Sequence, residues 1–402
     1  MDGLASFERD CVERSAAGDM LRQVENWSAV NSGSRNLDGL AVLASRLAGA
    51  FADLPGEIRL AEPTPVEAID GAGRAVEVPH GRNLHVVVRP QAPMQLLFTG
   101  HMDTVFAADH PFQGLRWLEP GVINGPGVAD MKGGIAVMLA ALKAVEASPL
   151  ASRIGYDVIL NSDEEVGSLG SAELIARAAT GKRAALTYEP SALPDGTFAG
   201  ARPGSGNFSF TVTGKSAHAG RNPEDGRNAL VAAADLALRL KQGVGPHLSI
   251  NPARIDGGSP NNVVPDLAVL RVNVRPATLD DQTRAQSLIE ESVRHVAAEH
   301  DVGIATHGHF ARPPKPMTPA LDALFAVVRQ AGADLGQSIG WQPSGGVCDG
   351  NNIAACGVPV IDTMGVRGGS IHSMEEFLIV DSLSERAALS ALTILRLAGE
   401  AA

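Results

Sequence analysis

The order of apolar and polar positions divides the chain into two kinds of pattern. Apolar runs at Asn83–Pro90 (NLHVVVRP), Gln95–Gly100 (QLLFTG), Tyr156–Asn161 (YDVILN) and Ala184–Pro190 (AALTYEP) predict strands. Between them, Met131–Ala147 places apolar residues at Ile135, Met138, Leu139, Leu142 and Val145, the spacing of one helical face. Ala172–Ala179 (AELIARAA) predicts another helix. Apolar strands alternating with helices predict an α/β fold, a mostly parallel sheet sandwiched by helices.

The pattern changes after Gly200. Asn207–Gly214 (NFSFTVTG) alternates apolar and polar residues, and a helical stretch follows at Gly226–Gln242. Strands at Leu248–Gly258 and Pro265–Pro276, a helix at about Leu279–Glu299 and a strand at Val302–Phe310 complete the order β-α-β-β-α-β. That order is the split βαβ pattern of a small α+β unit. Ala311–Pro319 (ARPPKPMTP) reads as the return linker, after which Val358–Gly365 (VPVIDTMG) predicts a buried strand and Asp381–Ala398 a closing helix. The small unit is therefore predicted to be inserted into the large one: residues 1–203 and 313–402 form one domain and residues 204–312 the other.

Length supports the division, since 402 residues exceed a typical single core. A 45% hydrophobic and 19% charged composition fits a soluble globular protein. A formal charge of −12 argues against nucleic acid or an anionic membrane as partner. The first residues, MDGLASFERDCVERSAAGDM, lack a basic start followed by an apolar run. No stretch approaches the ~20 apolar residues that span a bilayer. Cys11, Cys348 and Cys356 show no disulfide framework. A cytoplasmic protein with free thiols is expected.

One stretch resists a purely structural explanation. In LNSDEEVGSLGS, Asp163, Glu164 and Glu165 follow an apolar strand directly. Repulsion and desolvation both oppose three carboxylates at a buried strand end. In open α/β sheets that end is where ligands bind. Other strand ends carry His101 and Asp103 (TGHMDTV), Glu189 (YEP) and His372 (GGSIHS), and Asp130 precedes the long helix (GVADMKGG). Any one of these is ordinary as a cap or turn residue. Imidazoles and carboxylates gathered from five segments make the donor set of a zinc site, and several carboxylates with two imidazoles suit two ions sharing a bridging carboxylate. Phosphate binding at NGPGVADMKGG is disfavoured, because GxGxxG is incomplete and no Walker lysine follows.

The motifs TGHMDTV, GVADMKGG, SDEEVGS, YEP and GGSIHSMEE, with VTGKSAHAG in the inserted unit, resemble the dinuclear-zinc aminoacylase and carboxypeptidase family. That group includes glutamate carboxypeptidases, acetylornithine deacetylases and succinyl-diaminopimelate desuccinylases, and the resemblance covers nearly the whole chain. It implies a zinc exopeptidase-like catalytic domain with an inserted lid and dimerisation domain. It implies two Zn2+ per chain, with Co2+ or Mn2+ as substitutes: His101 and Glu189 on one ion, Glu165 and His372 on the other, Asp130 bridging. Glu164 would be the general base on the activated water, and Asp103 would hold the His101 imidazole. His218, reaching over from the partner of a homodimer, would stabilise the oxyanion. Arg275, Asn262 and Gly345 would contact substrate, Arg275 by gripping a carboxylate with its planar fork. An Asp130–Met131 cis peptide is implied as well. The chain departs from the family where GGTDA is common: it reads SGGVCDGNN, with Cys348 in place of Thr. Arg202 near the domain junction has no family role to inherit.

The implied activity is hydrolysis of an amide or peptide bond next to a free carboxylate, in an N-acyl amino acid or a small peptide. Carboxypeptidase and deacylase are not separated by these residues. A catalytically silent binding protein on the same fold is the alternative, disfavoured by the intact Glu164 and all five ligand positions.

Overall fold

The apolar strands pair as their pattern requires. In the computed structural model, which describes residues 3–399, six strands form one sheet in the order Glu57–Ala61, Asn83–Val88, Ile154–Asn161, Met94–His101, Ala184–Thr187, Val360–Ile361. Asn83–Val88 runs antiparallel to both neighbours, and the remaining pairs are parallel. Successive side chains of the central strand point to opposite faces. Leu96 and Phe98 enter the larger core with helices Leu37–Phe51, Gly134–Glu146, Pro319–Asp334 and Asp381–Gly399, whereas Leu97 enters a smaller core with Ala172–Ala179 and Asp349–Ala355. Helices thus cover both faces, the α/β sandwich expected. Ahead of the first predicted strand the chain forms two further helices, Ser6–Ala16 and Met20–Ser28, which the periodicity analysis did not single out.

Four element boundaries differ from expectation. The helix predicted from Met131 begins at Gly134, because Val128–Gly133 forms a wide turn kinked at Asp130 and Met131. The Asp130–Met131 peptide is cis. A Cβ on Gly134 would stand 1.9 Å from the Tyr188 carbonyl oxygen, so only glycine lets this helix start against the end of the neighbouring strand. The strand predicted over Ala184–Pro190 stops at Thr187, and that over Val358–Gly365 is regular only at Val360–Ile361, followed by an isolated bridge from Thr363 to Tyr188. The helix predicted from Gly226 starts at Ala229, where the Asn228 side chain accepts the Val231 amide at 3.1 Å.

Residues 205–312 build a second, antiparallel sheet in the order Leu248–Gly257, Leu267–Pro276, Ser205–Thr213, Gly303–Arg312. Helices Ala229–Gln242 and Leu279–His300 supply Leu236 and Ile289 to a separate core with Phe208, Phe210 and Val212. The two crossovers to the large sheet run side by side: the Arg202 amide donates to Lys315 O at 2.9 Å and the Lys315 amide to Arg202 O at 3.0 Å. The Asn351 side chain donates to Pro203 O at 2.9 Å and Pro313 O at 2.8 Å, clamping both. Buried Asp362 accepts Arg202 Nε at 2.7 Å, Arg202 Nη2 at 3.0 Å and Lys315 Nζ at 2.6 Å. A hairpin, Glu67–Ile69 with Ala75–Glu77, reaches from the large domain to the inserted one, where Arg271 Nη1 donates to Ile69 O at 2.8 Å.

Candidate active site

The strand ends and the wide turn deliver five side chains to one place. His101 ends its strand, and its Nε2 lies 3.0 Å from Asp130 Oδ1 and 3.7 Å from Glu189 Oε2. His372 approaches from the far side, with Nε2 3.4 Å from Asp130 Oδ2 and 3.0 Å from Glu165 Oε2. The two oxygens of Asp130 therefore face different imidazoles, each imidazole having a second carboxylate beside it. Donor atoms of His101, Asp130 and Glu165 lie within 4.8 Å of one another, as do those of His101, Glu164 and Glu189. Proximity alone thus admits Glu164 beside Glu165 among the possible donors.

Asp103 organises this arrangement from beneath. Its backbone carbonyl lies 3.0 Å from His101 Nδ1, with the carboxylate at 3.4 Å. The same carboxylate accepts the Glu164 amide at 3.1 Å, the Glu165 amide at 3.2 Å and the Ser34 hydroxyl at 2.7 Å. One buried acid so fixes both an imidazole and the turn carrying the acidic pair. Asp163, the first of the three consecutive acids, turns away from the centre and accepts the Gly170 amide at 2.6 Å.

Burial and charge work against each other here. Burial pushes the Glu189 carboxyl up to about 7, even though it faces His101. Burial also raises Glu164 well above its usual range, opposed by Arg312, and raises Glu165, where Asp130 adds repulsion. Hydrogen bonds donated to Asp130 and Glu165 raise His372 to about 11. His101 rises too: burial favours its neutral form, but the facing carboxylates outweigh it. Four carboxylates among two imidazoles leave negative charge uncompensated, and carboxylate and imidazole donors suit a zinc-like dication. The residues present fit such a group.

Sequence reasoning missed two charged residues at this site. Glu376 is buried and accepts the Gly127, Ala129 and Asp130 amides at 3.0, 2.9 and 3.0 Å, pinning the wide turn that presents Asp130. It lies within the quoted motif GGSIHSMEE, four residues after His372, and that position was its only signal. Arg312 ends the last strand of the inserted domain, in a stretch read as linker. It is 6% exposed, and its Nη2 lies 2.6 Å from Glu164 Oε1.

A cavity of about 300 Å3 opens beside the acids, lined by Glu189, Ser191, Ala199, Arg202, Val347 and Cys348 among others. Arg202, unassigned from sequence, is tied to Asp362 and also donates to Gly346 O at 3.1 Å, so it supports the cavity wall. Burial raises the Cys348 thiol well above its ordinary value, which keeps it protonated and unreactive.

The remaining expected substrate groups lie apart from the acids. Exposed Arg275 reaches Gly345 O at 3.4 Å across the two domains, and a Cβ on Gly345 would meet open space. His218 and Asn262 are exposed on adjoining loops, joined by the Ala219 amide donating to Asn262 O at 2.9 Å and by a bridge between His218 and Val263. Their hydrogen bonds stay within and between these loops, as in the Gly220 amide donating to His218 Nδ1 at 3.1 Å, and the structure of one chain does not bring them onto the carboxylate cluster.

Residues 97–396 match the family model described as Peptidase family M20/M25/M40. Carboxypeptidase G2 of a Pseudomonas species is 30% identical over 404 residues, covering 97% of this chain and 93% of that enzyme. Succinyl-diaminopimelate desuccinylase of Maricaulis maris is 27% identical over 322 residues, 73% of this chain and 78% of that one. Among solved structures, an M20 family metallo-carboxypeptidase from Sulfolobus solfataricus superposes with a TM-score of 0.73 at 13% identity, over 95% of this chain and 99% of the other.

Proposed function

Since the chain belongs to peptidase family M20/M25/M40, whose members are metal-dependent hydrolases, we propose that it cleaves an amide or peptide bond next to a free carboxylate, using two zinc ions. The carrying observation is Asp130, whose two carboxylate oxygens face the imidazoles of His101 and His372 separately. His101 with Glu189 and His372 with Glu165 then form two half-sites that share Asp130. Bound zinc would polarise the scissile carbonyl and bring the pKa of water towards ~7.

The chain's own residues supply the rest. Glu164 stands beside the ligands, takes the proton from the attacking water and hands it to the leaving amine. Asp103 holds His101 through Nδ1 and leaves Nε2 for coordination, the usual task of a carboxylate or carbonyl behind a ligand. Arg275 binds the substrate carboxylate near Gly345, and Asn262 contacts substrate beside His218. The exposure of His218, away from its own chain's acids, supports its service to a second copy. Leu248–Gly257 and Gly303–Arg312 are open edges of the inserted sheet, and pairing one of them across a twofold axis would cover it.

Between the two hydrolase readings, the similarity to carboxypeptidase G2 spans 97% of this chain and that to the desuccinylase 73%. A carboxypeptidase acting on a small peptide or N-acyl amino acid is therefore preferred to a deacylase of the desuccinylase kind. The test is hydrolysis, with zinc present, of a panel of peptides and N-acyl amino acids that share a free carboxylate, alongside elemental counting of bound metal. No turnover across the panel favours the silent binding protein, and one tightly bound metal per chain removes the two-ion scheme.

A further inference from the structure

We infer that Arg312 is a positioning residue for Glu164, through which the inserted domain sets the placement of the catalytic base. The inference rests on the assignment of Glu164 as base and asks what holds that carboxylate in position. Arg312 is the last residue of the strand Gly303–Arg312, paired with Ser205 at the start of the inserted sheet. Its backbone belongs to the return crossover, yet its guanidinium lies under the acidic turn of the other domain. Nη2 donates to the Glu164 carbonyl at 2.8 Å and to Ser168 Oγ at 2.8 Å. The same nitrogen stands 2.6 Å from Glu164 Oε1, and Asp349 Oδ1 lies 3.7 Å away.

An Nη nitrogen carries two protons. Both are directed at the carbonyl and the hydroxyl, so the approach to Oε1 is a contact of charges without an aligned hydrogen bond. Glu164 Oε1 accordingly has no hydrogen-bond partner among the described residues. Arg312 thus fixes the main chain and the side chain of Glu164 together, while no donor occupies the lone pairs a base must offer. A lysine ammonium is a compact charge on a flexible stem and reproduces this placement of Nη2 only in part. The support beneath is closed as well. Ser168 Oγ donates to Asp349, whose other oxygen accepts Asn161 Nδ2 at 2.8 Å. Asn352, on the helix begun by Asp349, donates to Ala311 O at 3.0 Å, next to Arg312. Rotation of the inserted domain that moves residues 311–312 therefore moves a group in contact with the base.

The experiment is a double-mutant cycle with Arg312→Met and Glu164→Gln in the zinc-loaded full chain. It measures kcat and KM separately, with metal content and melting temperature for every variant. Arg312→Met should lower kcat by about 10- to 100-fold, less than the ~100- to 10,000-fold for losing a general base outright, with KM within about threefold and metal content unchanged. In the Glu164→Gln background the same change should alter kcat less than about twofold, since residues acting as a unit are strongly non-additive. Arg312→Lys should recover part of the lost kcat, and added guanidinium should raise the kcat of Arg312→Met. Ser168→Ala removes one acceptor from Arg312 and one donor to Asp349, whose other oxygen keeps Asn161, and it should lower kcat about threefold even if Arg312→Met folds poorly. Wild-type kcat in Arg312→Met and Ser168→Ala overturns the inference, as does an equal loss with and without Glu164 or a loss of metal that accounts for the whole effect. A Glu164→Gln enzyme with wild-type kcat would instead overturn the assignment of the base, which keeps the two failures apart.

Discussion

Asp362→Asn should destabilise the protein more than any other single change of one heavy atom at the domain junction. Asp362 is fully buried, and it carries both Arg202, 7% exposed, and Lys315, 1% exposed. Both cations hold the Asp362 carboxyl below its ordinary range against the upward push of burial. The variant leaves two buried cations facing a neutral amide. Breaking one buried pair costs about 3–5 kcal/mol, against a total stability of about 5–15 kcal/mol. Unfolding entropy of ~2.1 cal/mol/K per residue over 402 residues is about 0.84 kcal/mol/K. The melting temperature should therefore fall by about 4–6 °C if the chain unfolds as one unit. Calorimetry measures it, with a control in which Asp362, Arg202 and Lys315 are replaced together by Leu, Met and Met. Apolar replacement of a whole buried ion cluster is often near neutral, so the triple variant should melt closer to wild type than Asp362→Asn. Because Arg202 also supports Gly346, KM should rise in Asp362→Asn while metal content stays constant. A single variant within 1 °C of wild type, or a triple variant that melts lower than the single one, would refute this account of the crossovers.

Glu164→Gln should retain metal and lose about 100-fold or more in kcat, as for removal of a general base; a variant that loses metal yet is active once reconstituted would exchange the roles of Glu164 and Glu165. His218→Ala and Glu164→Gln chains, each nearly inactive alone, should regain activity when mixed under subunit exchange, and no recovery with exchange confirmed would place His218 in its own chain's chemistry or outside it. For pH, burial would raise the Asp157 carboxyl, but His85 and Lys182 hold it below its ordinary value. Its contribution to stability should be complete above the unfolded value of ~3.9 and disappear as pH falls through the lower folded value. The melting-temperature gap between wild type and Asp157→Asn should accordingly narrow in acid, and a gap that widens there would contradict the assignment. Glu376→Gln should lower metal affinity without touching a ligand, because only one oxygen remains to accept the three amides of the Asp130 turn; titration with zinc reads this directly, and unchanged affinity would leave Glu376 a purely structural anchor.

What was legible in the sequence follows from the range over which each feature is encoded. Periodicity is local. The strand Met94–His101 and the helix Leu279–His300 could be read from their own residues, because the face each buries is written at spacings of two and three to four. His101, Glu165 and Glu189 were visible because each follows a strong apolar run, and Asp130 because it precedes the long apolar helix. Elements failed where a distant contact sets the boundary. Helix Gly134–Glu146 starts late because Glu376, 246 residues away from Asp130, takes three amides of the preceding turn. The strand at Val360 is short because beyond Ile361 the regular ladder gives way to an isolated bridge from Thr363 to Tyr188, around Asp362, which holds Arg202 and Lys315.

Arg312 shows the deeper limit. Nothing within ARPPKPMTP distinguishes a solvated linker arginine from one held under the acidic turn at Glu164, since the distinguishing fact is charge balance after folding. Asp103, Asp163, Glu164 and Asp349 converge below the strand ends from segments as far apart as residues 103 and 349, and a cation is needed beneath them as well as above. Dications bound by the facing carboxylates would compensate the upper layer, and Arg312 compensates the lower. The three acids of SDEE are thus tolerated for different reasons. Asp163 accepts a backbone amide while burial raises its carboxyl to about 6, and Glu164 is compensated by a guanidinium from the other domain. Glu165 faces His372 and the proposed metal. A count of charges along the chain sees three equivalent acids, whereas the fold gives each its own partner, and only the last of those partners was visible from the sequence.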